Sequence, residues 1–275
     1  MTLNRRSFLF RSGLNAFGLA AAMQLIKPAK AEAAFLAQKE SARSCRPDDS
    51  LTALIDGNAR FASAWQAKNE ATSLNERAQV MSKLWLDNCF LPSSVLEESQ
   101  APWASIMSCA DSRVAPEWIF DAAAGDLFVV RSAGNTPFDE GIASLEFGVA
   151  VLKTPLILVL GHSNCGAVQA ARANKTLTPL FDQLIKPIRA NLVPGDTLTN
   201  AIKNNASTTA QQLTTRSEVL AKAVQSGDLQ IVAGYFDIAS GKVSIAGIGD
   251  SKNIDLTSQN PSAELALRET DKADG

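Results

Sequence analysis

The 275 residues suffice for one domain with a short extension, and 46% hydrophobic against 20% charged residues describes a chain that buries a core rather than a disordered one. The formal net charge of −2 hides an asymmetry: residues 1–31 carry five basic and no acidic side chains, which leaves 21 basic against 28 acidic beyond them, a net of −7. An acidic body without a basic run lacks the footprint of a nucleic-acid-binding protein and excludes that class of partner.

The chain opens with Arg5-Arg6 before Phe8-Leu9-Phe10, continues through a mildly apolar stretch from Gly13 to Ile26, and reaches the small-residue pattern Ala29-Lys30-Ala31. A basic front, a short apolar middle and a small-residue cleavage site predict a secretory signal over 1–33, removed after Ala31 or Ala33. The adjacent arginines select the twin-arginine translocation machinery, and with it a periplasmic destination. The apolar run is shorter than the ~20 residues a spanning helix needs, which weighs against a retained anchor. Residues 34–49 read as a linker, 50–250 as the domain and 251–275 as a polar tail.

Within the domain, Leu51, Leu54, Ile55, Ala59, Phe61 and Trp65 predict a helix over 49–69 with Asp49 or Ser50 as its N-cap. A second helix is expected over 74–90, and Pro92 and Pro102 then bound a loop-rich approach. Apolar runs predict buried strands over 103–108 and 126–132. A helix over 140–152, a strand over 155–160 and a helix over 163–173 follow. The stretch 180–225 reads as mainly helical, broken near Pro187 and at Pro194-Gly195. A strand over 229–236 turns at Ser240-Gly241 into a hairpin partner over 242–246. Strands alternating with helices give an α/β fold, a mostly parallel central sheet with flanking helices and a C-terminal antiparallel edge strand.

Two segments hold nearly all the reactive side chains: Ser108-Cys109-Ala110-Asp111-Ser112-Arg113 and Gly161-His162-Ser163-Asn164-Cys165-Gly166. Each begins where a predicted strand ends, and in open parallel sheets ligands sit beyond the carboxyl ends of the strands. Cys165 follows His162 by three positions, so a first helical turn would project both from one side, and a helix N-terminus favours a thiolate. Two thiolates and one imidazole form a ligand set expected for Zn²⁺, with a fourth position open, whereas soft sulfur donors argue against Mg²⁺ or Ca²⁺. His162 is the only histidine, so a Ser-His-Asp hydrolase would have to use the same residue. Taken singly, a cysteine on an apolar strand is a small core residue and a lone histidine a satisfied polar group. Taken together at two strand ends, the three read as a metal site. Asp111 and Arg113, two apart, can pair. The carboxylate can then either fill the fourth metal position or turn to Arg113 and orient a reacting water, and a loop salt bridge of little weight is the plain alternative. Cys45 and Cys89 remain, either as a disulfide in an oxidising compartment or as buried thiols.

Cys109-x-Asp111-Ser112-Arg113 followed by His162-x-x-Cys165 resembles the zinc signature of the beta-class carbonic anhydrases. Gly57-Asn58-x-Arg60-Phe61, Arg131-Ser132-Ala133-Gly134-Asn135 and Tyr235 through Gly241-Lys242-Val243 extend the resemblance across most of residues 50–250. The resemblance implies zinc on Cys109, His162 and Cys165, with Asp111 as reversible fourth ligand or catalytic partner and Arg113 orienting it. It implies carbon dioxide and bicarbonate as substrates and a homodimer or homotetramer with sites near the subunit boundary. A zinc-binding or storage protein without turnover, and a hydrolase of carbon disulfide or carbonyl sulfide on the same scaffold, are the alternatives. No second histidine is left to shuttle protons, so water, buffer or a carboxylate must do so.

Overall fold

The computed structural model describes residues 42–174 and 177–247. The signal over 1–33 and the tail over 251–275 lie outside the described residues, as does the part of the expected linker before residue 42.

Five strands form one sheet in the order β2-β1-β3-β4-β5, with β1 Ala104–Cys109, β2 Leu127–Ser132, β3 Leu156–His162, β4 Gln230–Phe236 and β5 Val243–Gly247. The first four run parallel, and β5 returns antiparallel along β4, pairing Phe236 with Val243 and Val232 with Gly247. β1 and β3 are buried at every position, as expected for strands covered on both faces.

Helix α1, Ser50–Glu70, begins where Asp49 accepts a hydrogen bond from the Thr52 N–H at 2.6 Å. Its Leu54 and Phe61 pack on one face of the sheet against Ile106, Leu158, Leu160 and Phe236. A Cβ at Gly57 would overlap the Phe120 carbonyl, so only glycine allows α1 to approach that loop. Next to it, Asn58 donates to the carbonyls of Ile119 and Gly241 and accepts from the Val243 N–H, and Arg60 pairs with the buried Asp121. The Gly57-Asn58-x-Arg60-Phe61 motif therefore docks a helix and lies away from the reactive segments.

The second helix is shorter than its sequence pattern. Helix α2 covers only Leu74–Met81. Beyond it the chain is claimed by tertiary partners: Trp85 adopts φ 67° and donates its N–H to Asp121, Asn88 donates to the Asp121 carbonyl, and Cys89 is disulfide-bonded to Cys45 across 44 positions. Two short helices unsignalled by periodicity follow, α3 at Ser93–Glu98 and α4 at Pro116–Ile119. Within the expected linker, the Arg46 guanidinium donates to the carbonyls of Ala101, Pro102, Leu152 and Lys153.

The opposite face is covered by α5 (Asp139–Ala150), α8 (Leu198–Arg216) and α9 (Glu218–Gln225), which bury Leu145, Ala210, Leu213 and Leu220 against Met107, Ile157 and Val159. Helices α6 (Gly166–Arg172) and α7 (Pro179–Ala190) close the carboxyl end. Pro187 does not break α7, because Ile185 and Ile188 on either side of it are fully buried and hold the helix in place.

Gly57→Ala tests the docking of α1. An exposed helical site would gain about 0.5–1 kcal/mol from alanine. Here the clash is with backbone that cannot give, and overpacking costs of about 1–3 kcal/mol should dominate. Urea unfolding of the variant should show a lowered midpoint.

Candidate metal centre

β2 lies on one side of β1 and β3 on the other, so the strand order reverses between β1 and β3 and a crevice opens beyond their carboxyl ends. Cys109 is the last residue of β1 and His162 the last of β3, and both are buried. Cys165 joins them by a different route from the expected helical turn. Helix α6 starts only at Gly166, Cys165 is its N-cap, and Asn164 takes φ 55°, a left-handed turn that asparagine tolerates. The turn, not an i, i+3 helical relation, folds Cys165 back towards His162.

The result is a compact donor set. The ligand-capable atoms of Cys109, His162 and Cys165 lie within 4.8 Å of one another, and the two Sγ atoms are 4.0 Å apart. Two thiolates on a tetrahedral zinc at 2.3 Å stand about 3.8 Å apart, so the spacing fits the ion. His162 supplies independent support. Its Nδ1 lies 3.0 Å from the Ser163 carbonyl, which can only accept, so Nδ1 carries the proton and Nε2 presents a lone pair. That Nε2 is buried and has no hydrogen-bond partner among the described residues. Leaving such an atom unpaired costs about 1–3 kcal/mol unless something coordinates it.

The thiols are electrostatically unequal. A hydrogen bond from Cys165 is the main cause drawing Cys109 down to about 4, against the effect of burial, with help from the neighbouring His162 ring and then from the Gly134 N–H, which reaches its sulfur at 3.2 Å. That same bond, followed by burial, pushes Cys165 up. The helix N-terminus expected to favour the Cys165 thiolate is outweighed by the anionic neighbour. Ionising both sulfurs this close would call for a cation between them, and such an ion, held by Cys109, His162 and Cys165, would displace the second proton.

Asp111 and Arg113 sit at the open edge of the site, with side chains 18% and 49% exposed against 0% for His162. Arg113 donates through Nε to Oδ1 at 2.9 Å and through Nη2 to Oδ2 at 2.7 Å, a two-pronged contact that holds the Asp111 carboxyl well below the usual carboxylate range. Asp111 Oδ2 is 3.8 Å from His162 Nε2, near enough to meet whatever occupies the centre of the donor set. Both carboxylate oxygens are engaged by Arg113, which favours orientation of a reacting group over coordination.

The structure thus gathers all five residues expected from the sequence. It adds Asn164, whose left-handed backbone only geometry reveals, and Arg131 and Gly134, which belong to a recognised motif but carried no assigned role.

The carbonic anhydrase family model matches residues 104–243. The carbonic anhydrase of Mycolicibacterium smegmatis is 33% identical over 208 residues, covering 72% of this chain and 93% of the relative. Carbonic anhydrase 2 of Mycobacterium tuberculosis is 33% identical over 199 residues, 69% of this chain and 88% of its own length. Among solved structures, the beta-carbonic anhydrase CafA of Aspergillus fumigatus superposes with a TM-score of 0.52 at 25% identity, covering 76% of this chain and 97% of that one. Tetrameric beta-carbonic anhydrases of Sordaria macrospora superpose at 0.51 and 24% identity, covering 64% and 94%.

Removing one donor should leave the others unable to retain an ion. Cys109→Ser and His162→Ala are expected to abolish stoichiometric zinc, read by elemental analysis after dialysis. Retention of a full equivalent by either variant would separate these residues from the metal.

Proposed function

The chain belongs to the beta-class carbonic anhydrase family, and from that premise we propose that it interconverts carbon dioxide and bicarbonate at a zinc ion held by Cys109, His162 and Cys165. The observation that supports this most strongly is the unpartnered, buried Nε2 of His162 beside two sulfurs, with an ionised carboxylate at the open edge. Zinc, when bound there, supplies the Lewis acidity that lowers the pKa of water from about 15.7 towards about 7.

The protein's own groups do the rest. Asp111, kept ionised by Arg113, accepts a hydrogen bond from the attacking water and fixes the direction of its lone pair. Arg113 holds that carboxylate in place through two bonds, and its third contact, Nη2 to the Asn164 carbonyl at 3.4 Å, links it to the loop carrying Cys165. The buried walls around Cys109 and Cys165, including Val168 and Ile202, exclude water from the inner side, so reaction is confined to the edge lined by Asp111 and Arg113. The released proton passes to water or buffer, since the sole histidine is committed as a ligand.

The chain is further read as an exported enzyme, carried folded by the twin-arginine machinery and released in the periplasm after cleavage at Ala31 or Ala33. Arg5-Arg6 and the Cys45–Cys89 disulfide support this, as such bonds persist in oxidising compartments. A homodimer or homotetramer is supported by the outer edge of β2, which has no strand beside it among the described residues, and by the tetrameric Sordaria relatives.

Stopped-flow hydration of carbon dioxide by the purified mature protein should show activity lost to a chelator and restored by zinc. A zinc-loaded protein without turnover would instead be a storage protein, and turnover of carbonyl sulfide in preference to carbon dioxide would redirect the substrate. Asp111→Asn should keep the metal yet lose about 10²-fold or more in kcat, the scale of a positioned acid–base partner. Undiminished turnover would remove Asp111 from the mechanism. For export, Arg5→Lys with Arg6→Lys should retain the precursor in the cytoplasm of a bacterial host, seen by cell fractionation.

A further inference from the structure

The Arg131-Ser132-Ala133-Gly134-Asn135 segment lies beside the metal centre but supplies none of its ligands. Its hydrogen bonds show what it does instead. Arg131, one residue before the end of β2 and paired in register with Ser108, sends its side chain under the loop that leaves β1. Its Nε donates to the Cys109 carbonyl at 3.0 Å, and its Nη2 donates to the carbonyls of Asp111 at 2.8 Å and Val114 at 2.7 Å. One planar fork thus binds three carbonyls spaced around a single turn.

The loop is anchored at its far end by Val114, which is fully buried in the core, and at its tip by the Arg113 contact with the Asn164 carbonyl. Its internal bonds, Val114 N–H to the Asp111 carbonyl and Arg113 N–H to Asp111 Oδ1, shape the turn but do not join its main chain to the sheet. Among the described residues, the main-chain hydrogen bonds that join Ala110–Val114 to the rest of the protein run to the end of β2: the Ala110 N–H to the Ser132 carbonyl, and the two carbonyls held by Arg131. The same segment places the Gly134 N–H on the Cys109 sulfur, and Gly134 is in turn held by the buried Asn205 of α8, which donates to its carbonyl at 2.9 Å. A Cβ at Gly134, where φ is +75°, would press to 2.5 Å from Ile188 Cδ1 and 3.0 Å from Ala167 Cβ, so the segment packs closely against α7 and α6.

We propose that Arg131 is a positioning residue of the metal centre: its guanidinium fixes the Cys109–Val114 turn on the sheet, and so sets both the Cys109 sulfur and the Asp111–Arg113 pair in the arrangement that receives the ion. It touches neither metal nor substrate in this role. A lysine retains the charge but presents its donors from one point and cannot span three carbonyls as the planar fork does.

This inference rests on the assignment of zinc to Cys109, His162 and Cys165, and the test separates the two. Zinc affinity is measured on the full mature protein by competition with a chromophoric chelator, and the cobalt(II)-substituted protein is read by visible absorption. Arg131→Gln should weaken zinc binding about 10- to 100-fold, the range for outer-sphere partners of ligands, and alter the cobalt bands while far-UV circular dichroism stays unchanged. Arg131→Lys should fall between it and the unsubstituted protein. A Gln variant with unchanged affinity and cobalt spectrum would overturn the proposal. Should that variant fail to fold, the Lys variant decides: a weakened site with shifted bands supports the fork, and behaviour identical to the unsubstituted protein overturns it. If the unsubstituted protein takes up neither ion, the metal assignment itself fails and this inference with it.

Discussion

The parallel pairing of β1 with β3 is the constraint on which the centre depends. Ser108 stands in register with Leu160, so the last residues of the two strands, Cys109 and His162, emerge together into the crevice where strand order reverses. The pairing is secured far from the chemistry, by α1 on one face and by α5, α8 and α9 on the other, which bury both strands at every position. A register slip in either strand would turn its terminal side chain to the wrong face. Two of the three donors are thus placed by the core, and the turn at Asn164 brings in the third.

Their finer placement is polar and layered. Ser163 fixes the histidine tautomer through its carbonyl, Arg113 fixes Asp111, and Gly134 touches the Cys109 sulfur. Each partner is itself held: Gly134 by Asn205, and the Ser163 hydroxyl by the Ile238 N–H. Such chains matter because two sulfurs held 4.0 Å apart would repel as a pair of thiolates, so the surrounding polar partners hold the donors in place while one proton stays between them. The inequality between the two thiols expresses the same strain as charge, with one proton shared where two anions would repel.

Much of this was legible in the sequence because it followed from short, local signals. Apolar runs of six to eight residues marked β1, β2, β3 and β4 to within a residue or two, and reactive side chains at the ends of β1 and β3 marked the centre. What stayed hidden was set by distant partners. The apolar pattern over 74–90 continues past Met81, yet the helix does not, because Asp121 and Cys45 capture Trp85 and Cys89 from elsewhere in the chain. Pro187 reads as a break and is overridden by the burial of its neighbours. The spacing of His162 and Cys165 suggested a helical turn, whereas a left-handed asparagine achieves the same convergence, an outcome that no periodicity encodes. Arg131 looked like a family mark without a task, because its partners are backbone carbonyls, which leave no trace in side-chain patterns.

The Cys45–Cys89 bond makes the stability of this fold a property of its surroundings as well as its sequence. It closes a loop across 44 positions and ties the approach to α1 onto the segment after α2, and a closure of that length restricts the unfolded chain by about 2–4 kcal/mol. Where glutathione keeps thiols reduced, that restriction vanishes and the same polypeptide unravels more readily, open to proteases and chaperones. Where oxidants prevail, it becomes hardened against them. One covalent link thereby gives the molecule two lifetimes, distinguished by the redox poise of the medium around it.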